Sequence, residues 1–252
     1  MLGHAAFAAV VLRAVYPRIS HARRQALLQW WSAKLLRILN VSPLVEGHAP
    51  GTGDRAAMIA ANHVSWLDIF LISSIRPTRF IAKSEVREWG IVGWIADHAG
   101  TLFIRRDQWR DTARINDTVR AILADGHCVG LFPEGITTEG DTLLRFHSSL
   151  FEPAVANDAR VHPAAIRYER SDGTLCREIS FRGDRTFMES LSLIISEPRV
   201  VARIVFAPTV EPGGTHRREV ARAAENRVAS LLGLPPPSSG PRRGGGPPAA
   251  SR

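Results

Sequence analysis

Short apolar runs alternate with longer stretches of helical periodicity along most of this chain, and that alternation constrains its fold more than any other feature. Runs at 57–61, 79–82, 101–104, 128–132, 161–167, 178–181 and 201–206 have the length and composition of buried strands. Around them, 66–74, 91–98, 109–124, 148–156, 187–195 and 217–232 carry apolar residues at helical spacing. The pattern predicts an α/β fold, a mixed and largely parallel sheet of about seven strands flanked by helices. In such sheets chemistry collects in the loops that leave the strand ends. The residues just after each strand are therefore the candidates for function.

The ends of the chain differ from its middle. Residues 1–45 hold no acidic side chain but six basic ones, Arg13, Arg18, Arg23, Arg24, Lys34 and Arg37, whereas the rest is near neutral, with 26 basic against 24 acidic residues. Within this arm, 23–40 shows an apolar stripe at helical spacing that includes Trp30 and Trp31. A cationic helix with paired tryptophans suits the interfacial plane of a bilayer; it equally suits a helix packed on a domain with a solvated edge. The apolar run at 5–12 falls well short of the roughly 20 residues needed to cross a membrane. Beyond residue 234 the proline-, serine- and glycine-rich sequence cannot bury enough surface to order itself. Three segments result: a basic amphipathic arm at 1–45, a folded domain at 46–233 and a tail at 234–252. The two cysteines, Cys128 and Cys176, are too few for a disulfide scaffold or a structural zinc site. A near-neutral body without a basic stripe of interleaved aromatics argues against nucleic-acid binding.

After the first expected strand comes Asn62-His63-Val64-Ser65-Trp66-Leu67-Asp68. A histidine and an aspartate in this order have the makings of a general base and its orienting carboxylate. On one straight helix their five-residue separation would splay them by about 140°. Pairing therefore requires His63 in the loop and Asp68 in the first turn of the next helix. An unrelated loop histidine followed by a helix-capping aspartate is the plainer alternative, and His147 with Glu152 repeats the spacing elsewhere.

The surrounding motifs bear on that choice. Asn62–Asp68 resembles the first signature block of the glycerolipid acyltransferases, the family that includes the 1-acylglycerol-3-phosphate O-acyltransferases. Gly100-Thr101-Leu102-Phe103-Ile104-Arg105-Arg106 resembles the second block, Phe132-Pro133-Glu134-Gly135 the third, and Val161-His162-Pro163-Ala164-Ala165-Ile166 the looser fourth. The resemblance implies a glycerol-3-phosphate acyltransferase-like fold in which His63 deprotonates an acceptor hydroxyl and Asp68 orients it. It implies that Arg106 binds the acceptor's phosphate, with Lys83 as a second positive charge. Glu134, with Gly135 beside it, would bind the polar head or hold the loop. The donor would be acyl-CoA or acyl carrier protein, and no metal or cofactor would be needed, because a thioester is already activated. The implied reaction makes phosphatidic acid from 1-acyl-sn-glycerol 3-phosphate. One departure bears on the acceptor: where family members often read Gly-Thr-Arg-Ser after the third block, this chain reads Gly135-Ile136-Thr137-Thr138-Glu139-Gly140. A similar threonine-rich continuation occurs in lyso-ornithine-lipid and other lysophospholipid acyltransferases, so those acceptors stay open. So does a non-catalytic membrane- or nucleic-acid-binding module that kept the fold. A lysolipid acceptor lives in the bilayer, and the arm then implies peripheral or monotopic attachment to an anionic membrane surface, at the cytoplasmic face of the cell membrane.

Overall fold

The structure, a computed structural model, describes residues 18–51, 56–83, 87, 93, 101–104, 112–183 and 185–237. Among these, seven strands form one sheet: β1 (Val41–Glu46), β2 (Ala57–Ala61), β3 (Arg79–Lys83), β4 (Leu102–Ile104), β5 (Cys128–Leu131), β6 (Arg160–Arg170) and β7 (Val200–Phe206). Their spatial order is β1-β7-β6-β2-β5-β3-β4. From β6 to β4 all neighbours run parallel; β7 is antiparallel to β6, and β1 is parallel to β7. Among the described residues six helices cover the sheet: α1 (His21–Ile38), α2 (Leu67–Ile75), α3 (Thr112–Ala124), α4 (Glu152–Ala156), α5 (Phe187–Ser196) and α6 (Arg217–Leu232). The mixed, mostly parallel α/β architecture expected from the alternation is the one found.

The sheet is buried on both faces, which is why β2 reads as an unbroken apolar run rather than an alternating one. Ile59, Ile166, Tyr168 and Ile204 point to one side, where they meet Leu36 and Leu39 from the α1 end, Leu71 of α2 and Ile194 of α5. Met58, Ala60, Val129 and Val161 point to the other, against Val119 and Leu123 of α3 and Val220, Ala224 and Val228 of α6. Because β2, β5 and β3 are parallel, their C-terminal ends open on the same edge of the sheet. The loops after them are thereby gathered in one place.

Three expectations change. The run at 178–181 is not a strand: Arg177–Ile179 is a short 3-10 turn. The polar groups that follow are spent on loops, since Phe181 N–H donates to the Val64 carbonyl at 2.9 Å and Ser180 Oγ to the Thr138 carbonyl at 2.9 Å. A seventh strand comes instead from β1, which lacks an apolar alternation because it lies at the sheet edge, with Leu44 and Val45 exposed and Pro43 in its middle. The stretch 148–156 is also divided, a 3-10 turn at Ser148–Phe151 leading into the short α4. The helix expected at 91–98 lies almost wholly outside the described residues, as do the run at 5–12 and the tail beyond 237.

The apolar stripe of α1 is shared between two environments. Trp31, Leu36 and Leu39 are buried, and Gln29 Nε2 donates to the last carbonyl of α2, Ile75, at 2.9 Å. Asn40, at φ +56°, then turns the chain from helix into β1 in the left-handed conformation that asparagine tolerates. The opposite face holds Arg23, Trp30, Lys34 and Arg37, all exposed and within a narrow arc at about 100° per residue. Lys34 Nζ sits 5.9 Å from the Trp30 ring centroid. Among the described residues no helix is long and apolar enough to cross a membrane.

Candidate active site

The site begins where β2 stops. Asn62 continues the ladder with its side chain, receiving the Ile166 N–H at 2.7 Å and donating Nδ2–H to the Ile166 carbonyl at 3.0 Å. The amide imitates one more residue of backbone pairing, and the chain is free to leave the sheet. His63 is thus the first loop residue. Trp66, whose indole donates to Ser190 Oγ of α5 at 3.1 Å, pins the start of α2. Asp68 then falls in the first turn of α2, as its pairing with His63 requires.

Asp68 is fully buried and receives hydrogen bonds on both carboxylate oxygens. Oδ2 lies 2.8 Å from His63 Nδ1 and accepts the N–H groups of Val64 at 2.8 Å and Ser65 at 3.0 Å. Oδ1 accepts the hydroxyl of Tyr168, on β6, at 2.7 Å. Burial pushes the Tyr168 phenol well above its ordinary range, helped by the Asp68 charge, so it stays a donor. Among the described residues the His63 imidazole makes one hydrogen bond, through Nδ1, and its side chain is 21% exposed. Its ring stacks on Phe132, with centroids 4.0 Å apart and planes 8° from parallel, and Phe132 stacks in turn on Phe80. This leaves Nε2 as the ring atom able to take a proton from a bound hydroxyl.

Glu134 follows β5, and both of its oxygens are occupied by backbone. Oε1 accepts the His63 N–H at 2.7 Å and Oε2 the Leu144 N–H at 2.7 Å. Gly135 turns at φ +80°, and a Cβ there would lie 3.3 Å from His147 Nε2. The next residues hold the same loop from below: Thr138 N–H donates to the His63 carbonyl at 2.8 Å, and Thr137 Oγ1 donates to the Phe181 carbonyl. Lys83 ends β3 on the same edge of the sheet as His63 and Glu134. Arg106 lies outside the described residues. Sequence reasoning assigned no role to Asn62, Phe132 or Tyr168. The first two stood inside recognised motifs, but Tyr168 lies 100 residues from Asp68 and only the β2–β6 pairing brings it there.

One grouping of metal-type ligands occurs among the described residues, Cys176 with Glu178 and Glu197. Arg170 already bridges the two carboxylates, at 2.5 Å and 3.1 Å, and burial pushes the Cys176 thiol up to about 11, so the cluster reads as an ion pair.

Burial raises the Glu134 carboxyl to about 7, against the pull of its two N–H donors and with a smaller push from Asp68. Between about pH 4.5 and 7 the folded chain keeps a proton here that the unfolded chain has released. The residue's contribution is full below that window and is lost as pH rises through it, by on the order of 3 kcal/mol. The Tm of the unmodified protein should therefore fall relative to that of Glu134→Gln from pH 5 to 8. A relative Tm that stays flat, or rises with pH, would contradict the assignment.

Comparison with known proteins gives the family. Residues 42–167 match the acyltransferase family. The chain is 38% identical over 210 residues to a lyso-ornithine lipid O-acyltransferase of Pseudomonas aeruginosa, spanning 83% of this chain and 79% of that protein. It is 39% identical over 149 residues to a 1-acyl-sn-glycerol-3-phosphate acyltransferase of Neisseria meningitidis, spanning 59% of this chain and 58% of that one. Its fold resembles the crystal structure of the 1-acyl-sn-glycerophosphate acyltransferase PlsC of Thermotoga maritima, with a TM-score of 0.63 at 20% identity over 91% of this chain and 92% of that one. With a buried aspartate holding a loop histidine at the strand ends of this fold, and with these relatives, the chain belongs to the acyltransferase family, as an enzyme of the lysophospholipid acyltransferase type.

Proposed function

We propose that this enzyme moves a fatty acyl group from a thioester, acyl-CoA or acyl carrier protein, to the free hydroxyl of a lysolipid, with His63 as general base and Asp68 as its orienting partner. The His63–Asp68 contact at 2.8 Å carries the reading. Nε2 takes the hydroxyl proton as the oxygen attacks the thioester carbonyl. The C–S bond then breaks, and the proton passes to the departing thiolate sulfur. Positioning plus one base suffices for so activated a donor. Glu134 acts on the site through the backbone it holds, and Arg106 and Lys83 are the cations proposed for the acceptor's acidic group.

The better-supported acceptor is lyso-ornithine lipid, whose head bears both an amine and a carboxylate. A relative that spans 83% of this chain is named for that substrate. The loop holding the His63 carbonyl carries Glu139 and Asp141, and the segment after β6 brings arginines to them: Glu139 pairs with Arg177 at 3.3 Å and Arg182 at 2.6 Å, and Asp141 with Arg177 at 2.8 Å. A phosphate acceptor, 1-acyl-sn-glycerol 3-phosphate, is the second reading, favoured by the arginine at position 106 of the matched stretch. Purified enzyme given a panel of lysolipids should acylate lyso-ornithine lipid fastest, as read by product mass, and His63→Ala should lose about 10²–10⁴-fold of that rate with an unchanged circular dichroism spectrum. Faster turnover of 1-acyl-sn-glycerol 3-phosphate would restore the phosphate reading, and a folded, active His63→Ala protein would remove the mechanism.

The membrane contact we assign to the exposed face of α1, where Arg23, Lys34 and Arg37 surround Trp30. Each cation near an anionic bilayer contributes about 1 kcal/mol, and the indole adds a salt-resistant part. Alanine at each of the three basic positions should weaken binding to vesicles rich in phosphatidylglycerol by about fivefold, with a smaller effect in high salt. Trp30→Ser should weaken it at every salt concentration. Unchanged binding by the triple alanine variant would move the contact elsewhere.

A further inference from the structure

Resting on the reading of His63 as the base, we infer that Tyr168 is a positioning residue that sets the proton affinity of His63 through Asp68. Tyr168 is 1% exposed, and its hydroxyl lies 2.7 Å from Asp68 Oδ1 while His63 Nδ1 holds Oδ2 of the same carboxylate. It stands one residue beyond the stretch that matches the family, on the strand that Asn62 ties to the end of β2. Tyr168, Asp68 and His63 thus form one chain of hydrogen bonds across β6, α2 and the β2 loop.

The direction of the effect follows from charge. A hydroxyl donating to Oδ1 draws negative charge away from Oδ2 and weakens its hold on an imidazolium. Removing that donor concentrates the charge facing His63 and makes the imidazole more basic. A stronger donor does the opposite. Among the described residues, the other titratable groups hydrogen-bonded to the backbone of this chain are Glu134, whose carboxyl accepts the His63 N–H, and Cys176, whose N–H donates to the Tyr168 carbonyl. Neither touches the Tyr168 hydroxyl. Because Glu134 itself titrates near 7, the acid limb of a rate profile alone would mix two groups, and the His63 ring must be followed directly.

The test compares three full-length proteins by NMR titration of the His63 ring carbon and by the pH dependence of kcat/KM. They are the unmodified chain, Tyr168→Phe, and a Tyr16→Phe protein made with 3-fluorotyrosine, in which Tyr168 is the sole tyrosine because the chain has two. Fluorination makes the phenol more acidic and a stronger donor with almost no change of shape. The His63 pKa should rise in Tyr168→Phe by roughly half a unit, about threefold in proton affinity, and fall in the fluorinated protein. KM for donor and acceptor should stay within about twofold while kcat drops in Tyr168→Phe. If Tyr168→Phe does not fold, the fluorinated protein alone decides. A His63 pKa that is unmoved by fluorination, or that moves the same way in both proteins, overturns the proposal. If the pKa moves as expected while the rate profile does not follow it, the hydrogen-bonded chain stands and the role of His63 as base is what fails.

Discussion

The buried carboxylate of Asp68 is the point on which the rest of the site depends. An isolated carboxylate moved out of water costs several kcal/mol. Here four donors meet it: the imidazole of His63, the N–H groups of Val64 and Ser65, and the hydroxyl of Tyr168. A hydrogen bond to a charged group is worth about 1.5–3 kcal/mol, so the carboxylate is tolerable only while most of these donors stay in place. That requirement fixes the loop between β2 and α2, the register of β6 beside β2 and the tautomer of His63 together. The positive end of α2, in whose first turn Asp68 lies, adds to the same balance.

Glu134 is almost as buried, and among the described residues the N–H groups of His63 and Leu144 reach it; burial raises its carboxyl to about 7. The two acids divide the work of holding one histidine. Asp68 fixes the ring, Glu134 and Thr138 fix the backbone on either side of it, and Phe132 limits its tilt by stacking. Among the described residues Nε2 is the polar atom of His63 that none of these contacts engages. As the base proposed above, so rigid an imidazole suits a reaction whose donor is already activated, where the gain lies in placing a hydroxyl against a carbonyl.

The sheet was legible in the sequence wherever both of its faces are covered, because β2, β5, β6 and β7 must then be apolar. β1 was not, since an edge strand has neither the burial nor the alternation that marks a strand. The segment around Ile179 erred the other way: it is apolar because it is buried, yet its backbone serves loops. For the site, the spacing of His63 and Asp68 stated its own condition, one residue in a loop and one in a first helical turn, and the fold meets it. Tyr168 carried no local signal, because a hydroxyl that matters only through a partner 100 residues away looks like any strand tyrosine. The α1 helix offered two readings, packed or interfacial; the structure packs the Trp31 side of it on the domain and leaves Trp30 exposed.

The central claim is that Asp68 fixes His63 with its proton on Nδ1 and its lone pair on Nε2. Nitrogen-15 chemical shifts of the His63 ring in the unmodified protein, recorded at a pH where the ring is neutral, test it directly. The account predicts a protonated Nδ1 and an unprotonated Nε2, with the preference lost in Asp68→Ala. A neutral His63 that carries its proton on Nε2 would contradict the account, because no base would then face the acceptor hydroxyl.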